Sequence, residues 1–239
     1  MRIVLVDPSR AIQHAMTSLI AEGGHEVVAF CEGLKALEHL KADVGVRALV
    51  TSIQLPDISG LELCVAARKL AGSRRALFII VMSSSKDFEQ VVGALDNGAD
   101  DFIHKPPIAE ELRARLRAAD RLTTMQSELI RYATTDFLTG LLNRRSFFED
   151  GTEACQMACI DGSLSAILFD IDHFKTINDM YGHEAGDVVL AGVGTAAKAG
   201  TNGIVGRLGG EEFCILANCV GRAAIGLAEA LRRAMSGSW

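Results

Sequence analysis

The stretch Leu77-Phe78-Ile79-Ile80-Val81-Met82-Ser83 decides how the first half of the chain is read. Residues 77–82 are the longest run of large apolar side chains in the sequence. Six residues fall far short of the roughly 20 that a membrane helix needs. An apolar run of this length fits a strand covered on both faces, as in a parallel sheet. Comparable strands are expected at residues 2–7, 25–31, 48–51 and 101–104. Amphipathic helices are expected between them, at residues 9–21, 34–41, 60–70, 88–97 and from 109 onward. Five such units predict a doubly wound α/β domain whose ligand or switch site lies at the carboxyl ends of the strands.

The whole chain has 239 residues, enough for one large domain or two small ones. With 49% hydrophobic and 23% charged residues, extensive disorder is excluded. A net charge of −6 excludes binding a nucleic-acid polymer through a broad basic face. The first residues read as a strand and not as a signal peptide, and six cysteines lack framework spacing. Reduced thiols in a cytoplasmic, membrane-free protein are therefore expected. Cys155 and Cys159 read as core thiols, since no third ligand joins them. Residues 136–239 hold thirteen Asp/Glu against eight Lys/Arg, with Lys175 and Lys198 as the two lysines. Such a segment suits a divalent metal, and needs cations to accept a polyphosphate.

Residues 107–132 read as one long helix. Leu112, Leu116, Ala119, Leu122, Met125 and Leu129 form a near-heptad stripe with one phase slip. Its first half serves as the last helix of the domain, and the rest predicts a stalk that pairs with a second chain. From residue 136 the pattern changes. Helices are expected at 143–157, 174–180, 186–199 and 220–235. A strand at 165–172 ends in two acids, and strands at 204–208 and 213–216 flank Gly209-Gly210-Glu211-Glu212, a hairpin signal. The expected organisation is a domain over 1–110 (its last helix starting near 108), a stalk over 108–132, and a second domain over 133–239.

The first segment resembles the receiver domain of two-component response regulators. The resemblance rests on Val6-Asp7, Leu55-Pro56-Asp57-Ile58-Ser59-Gly60, Val81-Met82-Ser83-Ser84 and Asp101-Phe102-Ile103-His104-Lys105-Pro106. It implies a flavodoxin-like five-stranded parallel sheet. It also implies an acid pair for a metal, an acceptor Asp, a hydroxyl and a lysine. Of these, Asp7, Ser83 and Lys105 are present. Pro8 replaces the second acid and Ser52 stands at the acceptor position. A serine forms no acyl phosphate, so a receiver that takes no phosphate is expected, and a sensor kinase partner is doubtful. Asp57 falls in the loop beyond and is expected to point elsewhere. Such a domain serves dimerisation and presentation of the stalk, or senses another signal.

The second segment resembles the GGDEF family of diguanylate cyclases, which condense two GTP into cyclic di-GMP. The matching stretches are Asp136-Phe137-Leu138-Thr139-Gly140-Leu141-Leu142-Asn143-Arg144-Arg145, residues 169–187, and Arg207-Leu208-Gly209-Gly210-Glu211-Glu212-Phe213. The resemblance implies a ferredoxin-like α+β palm. It implies Mg²⁺, or alternatively Mn²⁺, held by Asp170, Glu211 and the Ile171 carbonyl. Glu212 would support the metal or the attacking hydroxyl. Asn178 and Asp187 would read the guanine edge, and backbone N–H groups at His173, Phe174 and Lys175 would meet phosphate oxygens. Gly209 and Gly210 would let the nucleotide approach. A homodimer, one GTP per domain, would bring the reactants together.

Two departures from the family shape the expectations. The register of its product-inhibition motif reads Gly200-Thr201-Asn202-Gly203, so feedback binding there is not expected. The sequence also ends at Trp239 before the family's further strand and its Lys/Arg motif. An open edge on strand 165–172 and weak or absent GTP turnover are therefore expected. Two functions remain open at this point: a response-regulator diguanylate cyclase, and a catalytically weak dimeric adapter that binds GTP or a protein.

Overall fold

The computed structural model describes residues 1–84 and 88–236. The chain divides into two units, Met1–Ile130 and Arg131–Trp239.

In the first unit five strands alternate with five helices. They are β1 (Arg2–Val6), α1 (Arg10–Glu22), β2 (Glu26–Phe30), α2 (Gly33–Ala42), β3 (Val46–Ser52), α3 (Gly60–Ala71), β4 (Phe78–Ser83), α4 (Phe88–Asp96), β5 (Asp101–His104) and α5 (Ala109–Thr134). The strands pair in parallel in the order β2-β1-β3-β4-β5, the flavodoxin-like arrangement. The apolar run is explained by the period of two along a strand. Ile79 and Val81 join Val4, Val6 and Leu49 in one core beneath α2, α3 and α4. Ile80 and Met82 join Ile3, Leu5 and Val50 in a second core with α1 and α5. Each fully buried side chain of this kind contributes about 1.5–3 kcal/mol. β2 departs from the expected full burial because it is the sheet edge, and Val28 is exposed.

α1 and α3 begin where their sequences carry caps. Ser9 accepts from the Ile12 N–H, and Ser59 and Glu62 form a capping box. On α5 the expected single stripe separates into two. Leu112, Leu116, Ala119 and Thr123 are buried. Leu122, Met125, Leu129 and Tyr132 are exposed. Both series keep heptad spacing but sit on different sides of the helix, so the apparent phase slip is a change of face. Arg47, at the start of β3, fixes the turn where they part. It donates to the Asp120 carbonyl (2.8 Å) and to the hydroxyls of Thr123 (2.8 Å) and Thr124 (2.5 Å).

The second unit contains α6 (Arg144–Asp161), β6 (Ser165–Phe169), α7 (Phe174–Tyr181), α8 (His183–Ala199), β7 (Ile204–Gly209), β8 (Glu212–Ala217) and α9 (Arg222–Ser236). Its antiparallel sheet has the order β6-β8-β7. Phe213, Ile215, Val193, Ala197 and Leu231 form the core. The strand expected over 165–172 ends at Phe169, because its pairing with β8 ends at Phe169–Phe213. Asp170 and Asp172 lie just past it. Asn143 caps α6 by accepting from the Ser146 N–H at 3.0 Å. Cys155 faces solvent, which corrects the expected core thiol, and the side chain of Cys159 lies outside the described residues. In the first unit Cys64 is a core thiol, pushed up to about 12 by burial.

Candidate functional sites

At the carboxyl ends of β1, β3, β4 and β5 a cavity of about 370 Å³ is lined by Asp7, Pro8, Ser52, Ser83 and Lys105, among others. The four receiver remnants are thus brought together beside the β1/β3 switch point. Asp7 is fully buried. One of its oxygens accepts from the Ser9 N–H at 2.9 Å, and the other is paired with Lys105. The Lys105 ammonium also donates to the Ser52 hydroxyl at 2.8 Å. Lysine, carboxylate and serine therefore satisfy one another, and Pro8 adds no carboxylate. A divalent cation would find one carboxylate here, already paired. These residues do not fit a divalent metal ion.

Asp57 points away from the cavity, as expected. Its carboxylate accepts from the N–H groups of Gly33 (2.9 Å) and Leu34 (2.7 Å) and so caps α2. Desolvation alone would raise its pKa, but the backbone N–H groups of Leu34, Gly33 and Ile58 outweigh it and hold the carboxyl below its ordinary value.

In the second unit the acidic residues gather at one end of the sheet. The rings of Phe169 and Phe213 stack at 5.5 Å, which fixes the register of β6 on β8. Asp170 follows Phe169, and Glu212 precedes Phe213. Two neighbouring strands thus deliver Asp170, Glu211 and Glu212 to the same end. Asp170 and Glu212 are exposed and Glu211 is half-buried. The hairpin turn uses positive φ at Gly209 (147°) and Gly210 (53°), which L side chains rarely adopt. Among the described residues no three His, Cys, Asp or Glu side chains converge on a metal position. The oxygen donors brought to this end are the carboxylates of Asp170, Glu211 and Glu212, with the Ile171 carbonyl next in sequence. Those hard oxygens fit Mg²⁺, which keeps several waters and shares ligands with phosphate. The Ile171 carbonyl also accepts a long bond from the Phe174 N–H, at 3.3 Å.

His173 enters α7 with φ 57°, in the left-handed region, and gives no side-chain cap. Phe174 and Lys175 open that helix. Asn178 lies on α7, and Asp187 is exposed on the first turns of α8. Asn178 Oδ1 is buried with no hydrogen-bond partner. A Cβ on Gly186 would stand 2.0 Å from that oxygen. The bare glycine is what lets the amide lie between the helices.

One positioning pair carries no role in the sequence reading. Arg207, four residues before Glu211, pairs with Asp136 at 3.1 Å and donates to the Gly210 carbonyl at 2.9 Å. Asp136 also accepts from the Thr139 N–H (2.9 Å) and hydroxyl (2.8 Å). Desolvation would raise the Asp136 pKa, but these bonds and Arg207 together hold it below its ordinary value. The pair ties the hairpin turn to the Asp-Xaa-Leu-Thr-Gly stretch. Both residues stand in the quoted stretches, but only contact distances reveal the link.

Comparison with known proteins agrees with this division. Residues 3–117 match the response regulator receiver domain family, and residues 133–238 match the family described as diguanylate cyclase, GGDEF domain. The chain is therefore a receiver domain followed by a GGDEF domain, belonging to those families domain by domain. It is 31% identical to the response regulator PleD of Caulobacter vibrioides over 249 aligned residues, covering 99% of this chain and 54% of PleD. It is 34% identical to the response regulator MprA of Mycobacterium tuberculosis over 149 residues, covering 60% of this chain and 63% of MprA. A receiver domain structure from Clostridium thermocellum superimposes with a TM-score of 0.48 at 18% identity, covering 52% of this chain and 97% of the other. The chain spans about half the length of PleD.

Proposed function

We propose that the protein is a response-regulator-type diguanylate cyclase, condensing two GTP into cyclic di-GMP between two facing copies. Its working parts are residues 1–110, the stalk 108–132 and the catalytic domain 133–239. The observation that carries this reading is the delivery of Asp170, Glu211 and Glu212 to one sheet end by the paired Phe169 and Phe213. Mg²⁺ held by Asp170, Glu211 and the Ile171 carbonyl would offset triphosphate charge and lower the pKa of the attacking 3′-hydroxyl. Asn178 and Asp187 recognise guanine, Asp187 accepting from the ring N–H and exocyclic amine. N–H groups from His173 to Lys175 meet phosphate oxygens, and Gly209 and Gly210 keep the hairpin low enough for the nucleotide to pass. Glu212 supports the hydroxyl.

Turnover is slow in this reading. Arg207, the cation next to the hairpin, is already engaged by Asp136 and Gly210, which leaves Lys175 to face the triphosphate. The exposed series Leu122, Met125, Leu129 and Tyr132 supports pairing of stalks between two chains. The receiver takes no phosphate on Asp, because Ser52 is the acceptor-position residue and Lys105 is occupied. Among the described residues no helix is long and apolar enough to cross a membrane. The test is GTP turnover with Mg²⁺, comparing the chain with its Asp170→Ala variant.

The Ser52–Lys105–Asp7 arrangement favours a second reading, an adapter whose receiver only dimerises. Guanine-nucleotide binding without turnover in both proteins would select it.

A further inference from the structure

In the first unit a groove runs between α5 and the turn that joins α1 to β2, at the amino end of β2 and away from the Asp7–Ser52 cavity. Two contiguous cavities form it, of about 430 and 470 Å³, and Gly23, His25 and Arg117 line both. Volumes of this size suit a small ligand. Arg113, Arg117 and Arg121 line the groove from α5. Their spacing by four residues sets successive side chains about 6 Å apart along one side of the helix. The two acids of the groove are already engaged. Glu22 pairs with Arg113 at 2.5 Å, and Asp120 pairs with Arg47 at 3.1 Å. The last carbonyls of α1, which would repel an anion, are also taken up. Ile20 accepts from the N–H groups of Gly23 and His25, and Ala21 accepts from that of Gly24. Arg117 and Arg121 have no hydrogen bond or ion pair among the described residues. Like charges four residues apart work against a helix, and no described acid pairs with either of these two.

We propose that this groove binds an oligophosphate, two or more linked phosphate groups, either free or at the end of a nucleotide. A planar guanidinium matches one phosphate group with two parallel N–H···O bonds. Two open forks one helical turn apart therefore suit two linked phosphates, whereas a single carboxylate would engage one fork only. The concave walls, closed on one side by Gly23 and His25, favour a small ligand over a broad acidic protein surface. This inference goes beyond the proposed function and does not rest on it. It supplies the first unit with an input other than phosphate on an Asp.

The test titrates the 239-residue chain with inorganic pyrophosphate in a calorimeter, at low ionic strength so that the charges are little screened. EDTA withholds divalent metal from the second unit. Saturable binding is expected, weakened at least about tenfold in the double variant Arg117→Ala, Arg121→Ala. Both side chains are exposed, and circular dichroism checks that α5 persists. The pair Arg117→Lys, Arg121→Lys keeps the charge but loses the forks, and is also expected to bind more weakly. ADP separates the two sources. Tighter binding of ADP than of pyrophosphate assigns the groove to a nucleotide, and equal or weaker binding assigns it to a free oligophosphate. A second measurement needs no substitution. Pyrophosphate is expected to shield Arg117 and Arg121 from phenylglyoxal, read by peptide mass mapping, and to leave Arg145 of the second unit, 84% exposed, unshielded. No saturable binding by the wild type, unchanged affinity in either double variant, or equal shielding of Arg145 would overturn the proposal.

Discussion

The Lys105 ammonium hydrogen-bonds the Ser52 hydroxyl at 2.8 Å while paired with the buried carboxylate of Asp7. The position of the phosphoryl acceptor and the cation that would neutralise its product are thus already joined to each other. With Pro8 in place of a second acid, Asp7 is the one carboxylate lining the cavity among the described residues, and it is already paired.

Incubation with a small phosphodonor such as acetyl phosphate is therefore expected to give no acid-labile label on the wild-type chain. Ser52→Asp alone is expected to remain unlabelled, because Pro8 still supplies no carboxylate. Labelling is read by phosphate-affinity gel electrophoresis before and after acid treatment, and clear acid-labile label on the wild type would refute the reading of Ser52.

Lys105→Met leaves the buried carboxyl group of Asp7 without its cationic partner. Removing one member of a buried pair costs about 3–5 kcal/mol. A fall of several degrees in the melting temperature of the first unit is expected, measured by differential scanning calorimetry. The double variant Lys105→Met with Asp7→Leu is expected to recover part of the loss, since it removes the stranded carboxyl group.

The pair Asp136–Arg207 predicts a pH-dependent stability. The folded-state pKa of Asp136 lies below its ordinary value, so its contribution is present above the unfolded carboxylate pKa of about 3.9. It is lost as pH falls through the folded value. Arg207→Ala is expected to destabilise the second unit at neutral pH by about 1–3 kcal/mol. The gap from wild type should narrow as pH falls below about 4, leaving the part due to the Arg207 bond to the Gly210 carbonyl. Urea unfolding at a series of pH values checks this.

Gly186→Ala places a methyl group where Asn178 Oδ1 stands. The amide must move or α7 and α8 must separate. GTP affinity is expected to fall at least about tenfold, a loss of about 1.4 kcal/mol. Isothermal titration calorimetry with GTP measures it, and circular dichroism tests that the helices persist.

Much of this architecture was legible from pattern. The apolar run at residues 77–82 marked a buried parallel strand because two cores take alternate residues of one short segment. β2 misled, since Val27-Val28-Ala29-Phe30 is as apolar as a central strand and edge position is not written in composition. The α5 stripe misled for a related reason. After Ala119 the buried series passes to Thr123, while Leu122 opens an exposed one. Thr123 is polar and escapes an apolar pattern, and its burial comes with the hydrogen bonds to Arg47 and the Ala119 carbonyl. In the candidate sites, residue identities were visible as motifs. The contacts that position them, Arg207 on Asp136 and Lys105 on Ser52, join residues 71 and 53 positions apart and required the fold.

GTP chemistry at the carboxylates that follow β6 and open β8 is the proposed activity. Its most direct test follows cyclic di-GMP formed from GTP and Mg²⁺ by the 239-residue chain and by Asp170→Ala, using chromatography. The predicted result is slow, Mg²⁺-dependent formation by the chain and none by the variant. Formation that survives Asp170→Ala, or no formation and no GTP binding by the chain, would contradict the account.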